Sequence, residues 1–516
     1  MNDSTHQQED ENPLNNRVPL STSLDVNLTL LQETFSECHD LVFHSIELGN
    51  QKACLVYLDE MINDRALFQI EQGLSTYSNE PNWPFMPFIR QRFPLSNVDE
   101  LNHLESVGKE ILSGHMIVLV DQLTYAISVR SGNSIGRDVA KPDTDRTVRG
   151  PKEGFVEDIH TNLNLIRKKI RTPSLKVEHL TLGERTHTQI SVVYIKGVAD
   201  EGIVQEVHQR LARIEIDGVL DSHYLDSMIK DAPGSPFPTL FSTERPDRVC
   251  GGLLDGKVAI ITDGTPFALT APATFVEFLH SAEDYYDSSL IASTLRWVRF
   301  LGLFVALILP AFYVGLVTFH QDLLQTPFLI RIAANREALP YPVLVEGLFM
   351  LLAYELVREA GIRMPRIFGG AVVTILGLIL IAQIGVHAGI IGPVMAAVVS
   401  ATGLITFILP NYAFHQIIRF CGIPLLLLAG FFGFMGIIVG LMFGLTHLVS
   451  LRSFGVPYFS PVSPARKEGW KDVFLRAPWW AMETRAPGLD VGDFDRANGM
   501  NAAKQPKENK GDHDEN

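Results

Sequence analysis

The chain has 516 residues, room for about three domains at roughly 150 residues each, so a single small binding module is excluded. Charged residues make up 20% and hydrophobic residues 46%, with a mean hydropathy of +0.14, against about 25% charge in an average soluble protein. The formal net charge of −15 argues against a nucleic-acid partner, because neutralising phosphates takes clustered basic charge.

In chain order, residues 1 to about 25 read as a polar, disordered lead. The opening MNDSTHQQEDENPLNN lacks the basic and apolar regions of a cleavable signal peptide, which leaves the N-terminal region on the cytoplasmic side. Residues 26–136 alternate strand-like runs, Ala53–Tyr57 and Met116–Val120, with an amphipathic helix over Leu101–Leu112, and form a first α/β subdomain. A linker rich in Pro, Gly, Asp and Arg follows over 137–154. A second α/β subdomain occupies 155–295, with strands at Gln189–Lys196 and Val258–Thr262 and a helix at Glu201–Arg213. Cys38, Cys54, Cys250 and Cys421 form no CxxC pair and have no His at ligand spacing, so reduced thiols are expected rather than disulfides or zinc.

The apolar excess lies beyond residue 296. Phe300 to Phe319, Ile367 to Ile418, and Phe420 to Leu451 contain no Asp, Glu, Lys or Arg. About twenty helical residues cross the roughly 30 Å hydrocarbon layer, so these runs read as transmembrane. The second run is divided at Gly385-Val-His-Ala-Gly389, which gives four spans within an all-α bundle over 296–451: about 297–319, 367–386, 389–410 and 423–449. Kinks are expected at Pro310 and Pro393. A further helix over 343–363 carries Glu346 and Glu355 and reads as embedded or interfacial. The 452–516 tail is expected to be cytoplasmic and unstructured from about 486. Arg296 and Arg299 before the first span and Arg452, Arg466, Lys467 and Lys471 after the last place both termini in the cytoplasm, but four crossings leave Arg358, Arg363 and Arg366 outside.

The Rossmann, Walker, zincin, nucleophile-elbow and EF-hand motifs are all missing, so no enzyme, metal or cofactor is expected. Glu346 and Glu355, nine residues apart, fall on opposite helix faces and are not a catalytic dyad. Either acid could line an ion path or sit at the interface; Glu355/Arg358 and Glu359/Arg363, at i,i+3 and i,i+4, suit an exposed helix end. Gly436, Gly440 and Gly444 share one face and suit close helix packing, within one subunit or between subunits.

Several motifs together resemble the A subunits of bacterial spore germinant receptors, the GerA family. They include Gly150-Pro-Lys-Glu-Gly-Phe-Val-Glu157, Thr161-Asn162, Leu165–Thr172, Thr243-Glu244-Arg245-Pro246-Asp247 and Asp263-Gly264-Thr265-Pro266-Phe267. Glu283-Asp-Tyr-Tyr286, Leu309-Pro310 with Tyr313, Arg358-Glu359-Ala-Gly-Ile-Arg363 with Pro365, and Ser453-Phe-Gly-Val-Pro-Tyr458 belong to the same pattern. The resemblance implies a protein of the spore inner membrane that acts with a transporter-like B subunit and a lipoprotein C subunit, forms a homo-oligomer, and couples nutrient sensing to ion release. The TERPD and DGTPF segments and Arg358, Glu359 and Arg363 would then define the fold or contact other subunits. A secondary transporter and a poreless membrane scaffold are the alternative readings. Long chargeless blocks predict that the intact chain stays in the membrane pellet after an alkaline carbonate wash; its release into the supernatant without detergent would contradict this.

Overall fold

The computed structural model of the chain describes residues 18–48, 51–62, 64–75, 98–129, 141–363, 370–482 and 484–485. Strands β1 (Leu41–Leu48), β2 (Gln51–Leu58), β3 (Val98–Leu101), β4 (Met116–Val120) and β5 (Ala126–Val129) form an antiparallel sheet in the order β1-β2-β4-β5-β3. Strands β6 (Leu175–Leu182), β7 (Thr188–Ile195), β8 (Phe241–Thr243), β9 (Val258–Thr262) and β10 (Ala268–Ala271) form a second sheet in the order β6-β7-β9-β10-β8, so the two subdomains share one topology.

The unbroken apolar runs of the central strands follow from helices covering both faces. In the first sheet, Cys54, Val56, Ile117 and Leu119 pack with helices α1 (Leu24–Thr34) and α3 (Leu104–Leu112). The alternate residues Ala53, Leu55, Met116 and Val118 pack instead with Ile70 and Leu74 of α2 (Asp64–Ser75). In the second sheet, α4 (Ile159–Lys169) and α7 (Pro246–Leu254) cover one face, while α5 (Glu201–Ala212) and α6 (Ser222–Ile229) cover the other. The α/β class of the head is therefore as the sequence implies.

The helical half holds α8 (Ser289–Phe319), α9 (Thr326–Glu337), α10 (Val343–Arg363), α11 (Gly370–His387), α12 (Pro393–Thr406) and α13 (Tyr412–Ser450). Among the described residues, α8 and α13 are long and apolar enough to cross a membrane. α13 is a hairpin rather than one rod. Gly433 takes φ +60° and ψ −142°, and beyond it Gly436 lies against the Leu428 carbonyl and Gly440 against Leu425. In a straight helix residues fifteen apart are about 22 Å apart, so the chain must reverse. Each arm is roughly 25–30 Å long, near the hydrocarbon thickness.

Several boundaries differ from the sequence reading. Leu20 and Leu24, assigned to a disordered lead, are buried in the first core, because Leu20 N–H bonds Asn102 O at 3.1 Å and aligns this segment beside α3. Within the linker, residues 141–154 are pinned by hydrogen bonds to the second subdomain; residues 130–140 lie outside the described residues. Pro393 opens α12, where its missing N–H costs no helical bond, instead of kinking a span. The 423–449 span covers parts of both α13 arms, because Gly433 turns the chain within it. Residues 452–482, left without assigned elements by the sequence reading, are folded. The hairpin β11 (Arg452–Ser453) and β12 (Val456–Pro457) turns through Phe454 and Gly455, both at positive φ, and seats Phe454 and Val456 in the second-sheet core. Residues 1–17, 364–369 and 486–516 lie outside the described residues.

The two subdomains meet through a buried ion pair. Arg167 on α4 donates Nε and Nη2 to Asp40 at 2.7 and 2.8 Å, with both side chains essentially free of solvent. Beside it Asn164 Nδ2 donates to Glu60 O at 2.7 Å. Burial, reinforced by the Asp40 charge, pushes the Glu60 carboxyl up to about 8, and burial also lowers His179, whose Nε2 is 3.8 Å from Glu60. Near neutral pH the two therefore meet as acid and imidazole, not as an ion pair. A carboxyl whose pKa rises on folding takes up a proton between its unfolded and folded values, so its contribution is full below about pH 4.5 and declines as pH rises to about 8. The melting-temperature advantage of Glu60→Gln over the parent chain, measured in detergent, should widen from about pH 5 to about pH 8; a constant difference would contradict the assignment.

Candidate functional site

Where head, bundle and tail meet, four charged side chains form a clamp. The segment Ala282–Tyr285 is a short 3-10 helix, and Ser281 and Asp284 close its start as a capping box. The same Asp284 carboxylate, 1% exposed, accepts Arg296 Nε at 3.1 Å and Arg299 Nη1 at 2.7 and 2.9 Å. Arg296 and Arg299 sit three residues apart on α8 and so share a face. Arg296 Nη1 also reaches Asp472 in the tail, at 2.7 Å to its carbonyl and 2.8 Å to Oδ1, while Tyr285 Oη donates to Asp472 Oδ2 at 2.8 Å. Two guanidiniums against two carboxylates make the cluster neutral, the condition for burying charge at all.

Aromatic packing closes the clamp. Phe474 of the tail stacks on Trp297 at 5.3 Å and meets Phe300 at 4.9 Å. His280 is buried and bonds Val473 O at 3.1 Å; burial, with Arg296 close by, holds its pKa well below the ordinary imidazole value, so it stays neutral. Burial likewise pushes the Cys250 thiol up to about 12, leaving it without nucleophilic character.

The family motifs serve this region. Arg245 is 2% exposed and is held by Asp247 at 2.7 and 2.9 Å, Thr147 Oγ1 at 2.7 Å and Pro151 O at 2.9 Å. Thr243 Oγ1 donates to Asp145 at 2.6 Å, and Glu244 accepts the Asp143 and Thr144 amides, so TERPD straps residues 141–155 onto the second subdomain. Pro246 begins α7. Asp263 accepts the Ile159 amide at the start of α4, and Gly264, at φ +83°, donates its N–H to Glu157 O. Pro266 belongs to the same β9–β10 turn, where Thr265 Oγ1 donates to Asp221 at 2.9 Å.

The two acids of α10 do not come together. Glu346, 1% exposed, faces Arg336 of α9 at 3.2 Å and accepts the Gly392 amide at 3.2 Å. Glu355, further along α10, pairs with Arg419 at 2.7 Å and Arg358 at 3.3 Å, beside a space of about 40 Å³ near Tyr354, Thr406 and His415. Glu359 and Arg363 form an exposed pair at 2.8 Å. Gly436 and Gly440 pack within the α13 hairpin, and Gly444 has open space where a side chain would stand. In the sequence Asp284 stands inside the Glu283–Tyr286 motif and Asp472 in the tail, neither with a local mark of this role. Two arginines one turn apart at the edge of an apolar run were the available signal, since such charges demand counter-ions.

The family model described as Bacillus/Clostridium GerA spore germination protein matches residues 29–487. The chain belongs to the GerA spore germination family. It is 37% identical to spore germination protein KA of Bacillus subtilis (strain 168) over 492 residues, covering 94% of this chain and 90% of the relative. The uncharacterized membrane protein YfkQ of the same organism is 37% identical, with 94% of each chain covered. Spore germination protein GerLA of Bacillus cereus is 37% identical over 77% of this chain and 82% of its own length. A crystal structure of the N-terminal domain of the A subunit of the Bacillus megaterium spore germinant receptor GerK3 is 31% identical, with a TM-score of 0.41, and covers 50% of this chain and 98% of that one.

In this GerA-family chain the clamp ranks its members by burial. Asp284→Asn strips both arginines of a counter-ion and should cost about 3–5 kcal/mol. Asp472→Asn, whose side chain is 38% exposed, should cost about 1 kcal/mol or less. Denaturant or thermal unfolding in detergent checks the order, and equal losses would refute it.

Proposed function

We propose that this chain, which through its family serves spore germination as a germinant receptor A subunit, is a multi-pass protein of the spore inner membrane that couples the state of its cytoplasmic head to the packing of its helices and thereby to ion release. It would work without enzymatic chemistry, as part of a homo-oligomer alongside a transporter-like B subunit and a lipoprotein C subunit.

The observation that carries this reading is that one buried clamp ties the head, the first apolar helix and the tail together. A change in head or partner contacts reaches the bundle only if two arrangements differ in free energy, and the clamp is the rigid connection between them. The antiparallel packing supports six crossings: α8, α10, α11, α12 and the two α13 arms. The start of α8 lies by Ile405 and its end by Gly433, while the start of α10 lies by Leu426 and Gly430 and its later turns by Gly403. Six is even, which agrees with the tail packing on the head. It also brings Arg358 and Arg363 to the head side with Arg296, Arg299 and Arg452, removing the charge conflict of a four-span layout.

Glu355, where α10 meets the first α13 arm, is the candidate gating contact. In liposomes carrying the assembled receptor, Glu355→Gln should change nutrient-triggered ion flux by about tenfold, the size of a ~1.4 kcal/mol shift between two states. Glu359→Gln, on the exposed helix end, should leave it alone. Unchanged flux in assembled Glu355→Gln and Glu346→Gln receptors would dismiss the gating role, absence of any leak would favour the scaffold, and solute uptake by this chain alone would favour a transporter.

A further inference from the structure

Beside the clamp lies a cavity of about 460 Å³, within the roughly 300–1,000 Å³ of small-molecule sites and, like many of them, at a junction between folded parts. Its walls come from α7, from the segment around Tyr285 and Tyr286, and from the tail at Trp479, so it exists only once the tail has docked. The lining is mostly apolar and aromatic.

The charges in its wall are nearly all spoken for. Asp247 is held by Arg245 at 2.7 Å, Glu277 by Lys257, Asp472 by Arg296 at 2.8 Å and Lys169 by Glu153 at 2.7 Å; Asp255 is also engaged. Arg248 is the exception. Among the described residues it forms no ion pair: Nη2 donates to the Glu277 carbonyl at 3.3 Å, and Cζ stands 4.7 Å over the Phe241 ring. One turn further along α7, Gly251 lines the same cavity, and a side chain there would meet nothing within 4 Å.

We propose that this cavity binds a small organic carboxylate with an aromatic or branched apolar body, the carboxylate on Arg248 and the body against Tyr285, Tyr286 and Trp479. A planar guanidinium with free N–H groups matches a carboxylate. A phosphate dianion fits worse, because Asp247 and Glu277 flank the site and would repel the second charge. Asp472 both lines the cavity and grips Arg296, so an occupant braces the tail against the neck of the bundle. The inference does not rest on the ion-release reading.

The test uses the full chain in detergent with phenylacetate as probe, followed by tryptophan fluorescence and calorimetry. Saturable binding is expected with a Kd of about 1 mM or tighter, reasonable for a ligand of this size. Phenylacetamide should bind about tenfold more weakly, Arg248→Gln should erase the difference between acid and amide, and Gly251→Leu should abolish binding while leaving the melting temperature unchanged. Equal affinity for acid and amide, full binding by Gly251→Leu, or equal competition by inorganic phosphate would overturn the proposal. So would a much tighter Kd in a chain ending at Arg485, which would make residues 486–516 the occupant.

Discussion

A carboxylate almost wholly out of solvent keeps its charge only beside compensating cations, and Asp284 has two, Arg296 and Arg299. That requirement organises the molecule. It fixes where α8 leaves the head, orients the 3-10 turn that carries Tyr285, and through Arg296 draws in Asp472 from the far end of the chain. Removing Asp284 strips both arginines of their shared buried counter-ion, a loss far larger than the net value of either pair. The clamp thus ties three parts of the chain into one geometry.

Head and bundle are held by different contacts. In the head, two sheets of the same order bury apolar residues on both faces, and the join between them is a bidentate Arg167–Asp40 pair. The bundle helices are rich in apolar residues on most faces, so burial alone does not choose between neighbours. Small residues and a few polar contacts choose instead: Gly436 and Gly440 against Leu428 and Leu425, Glu355 against Arg419, and Tyr354 Oη near Thr406 at 3.2 Å.

Much of this was legible beforehand. The chargeless blocks located the helical half, and the β-rich runs at Ala53–Tyr57, Met116–Val120 and Val258–Thr262 marked central strands of both sheets. Of the glycine repeat, Gly436 and Gly440 pack closely against the preceding arm of the same hairpin, while Gly444 faces open space. The clamp was half visible. Its arginines announced themselves at the edge of an apolar run, while Asp472 lies 176 residues from Arg296 and carries no local mark of its role.

By itself, then, the amino-acid order determined composition-driven matters: which half is apolar enough for lipid, which runs are strands, and which motifs tie the chain to its family. Direction and partnership were decided only in three dimensions. A chargeless stretch states compatibility with hydrocarbon but not where the chain turns, and the reversal at Gly433 depends on a φ of +60° that no periodicity encodes. Likewise, a buried charge tells that a counter-ion must exist, while only the folded chain shows which of its distant carboxylates arrives.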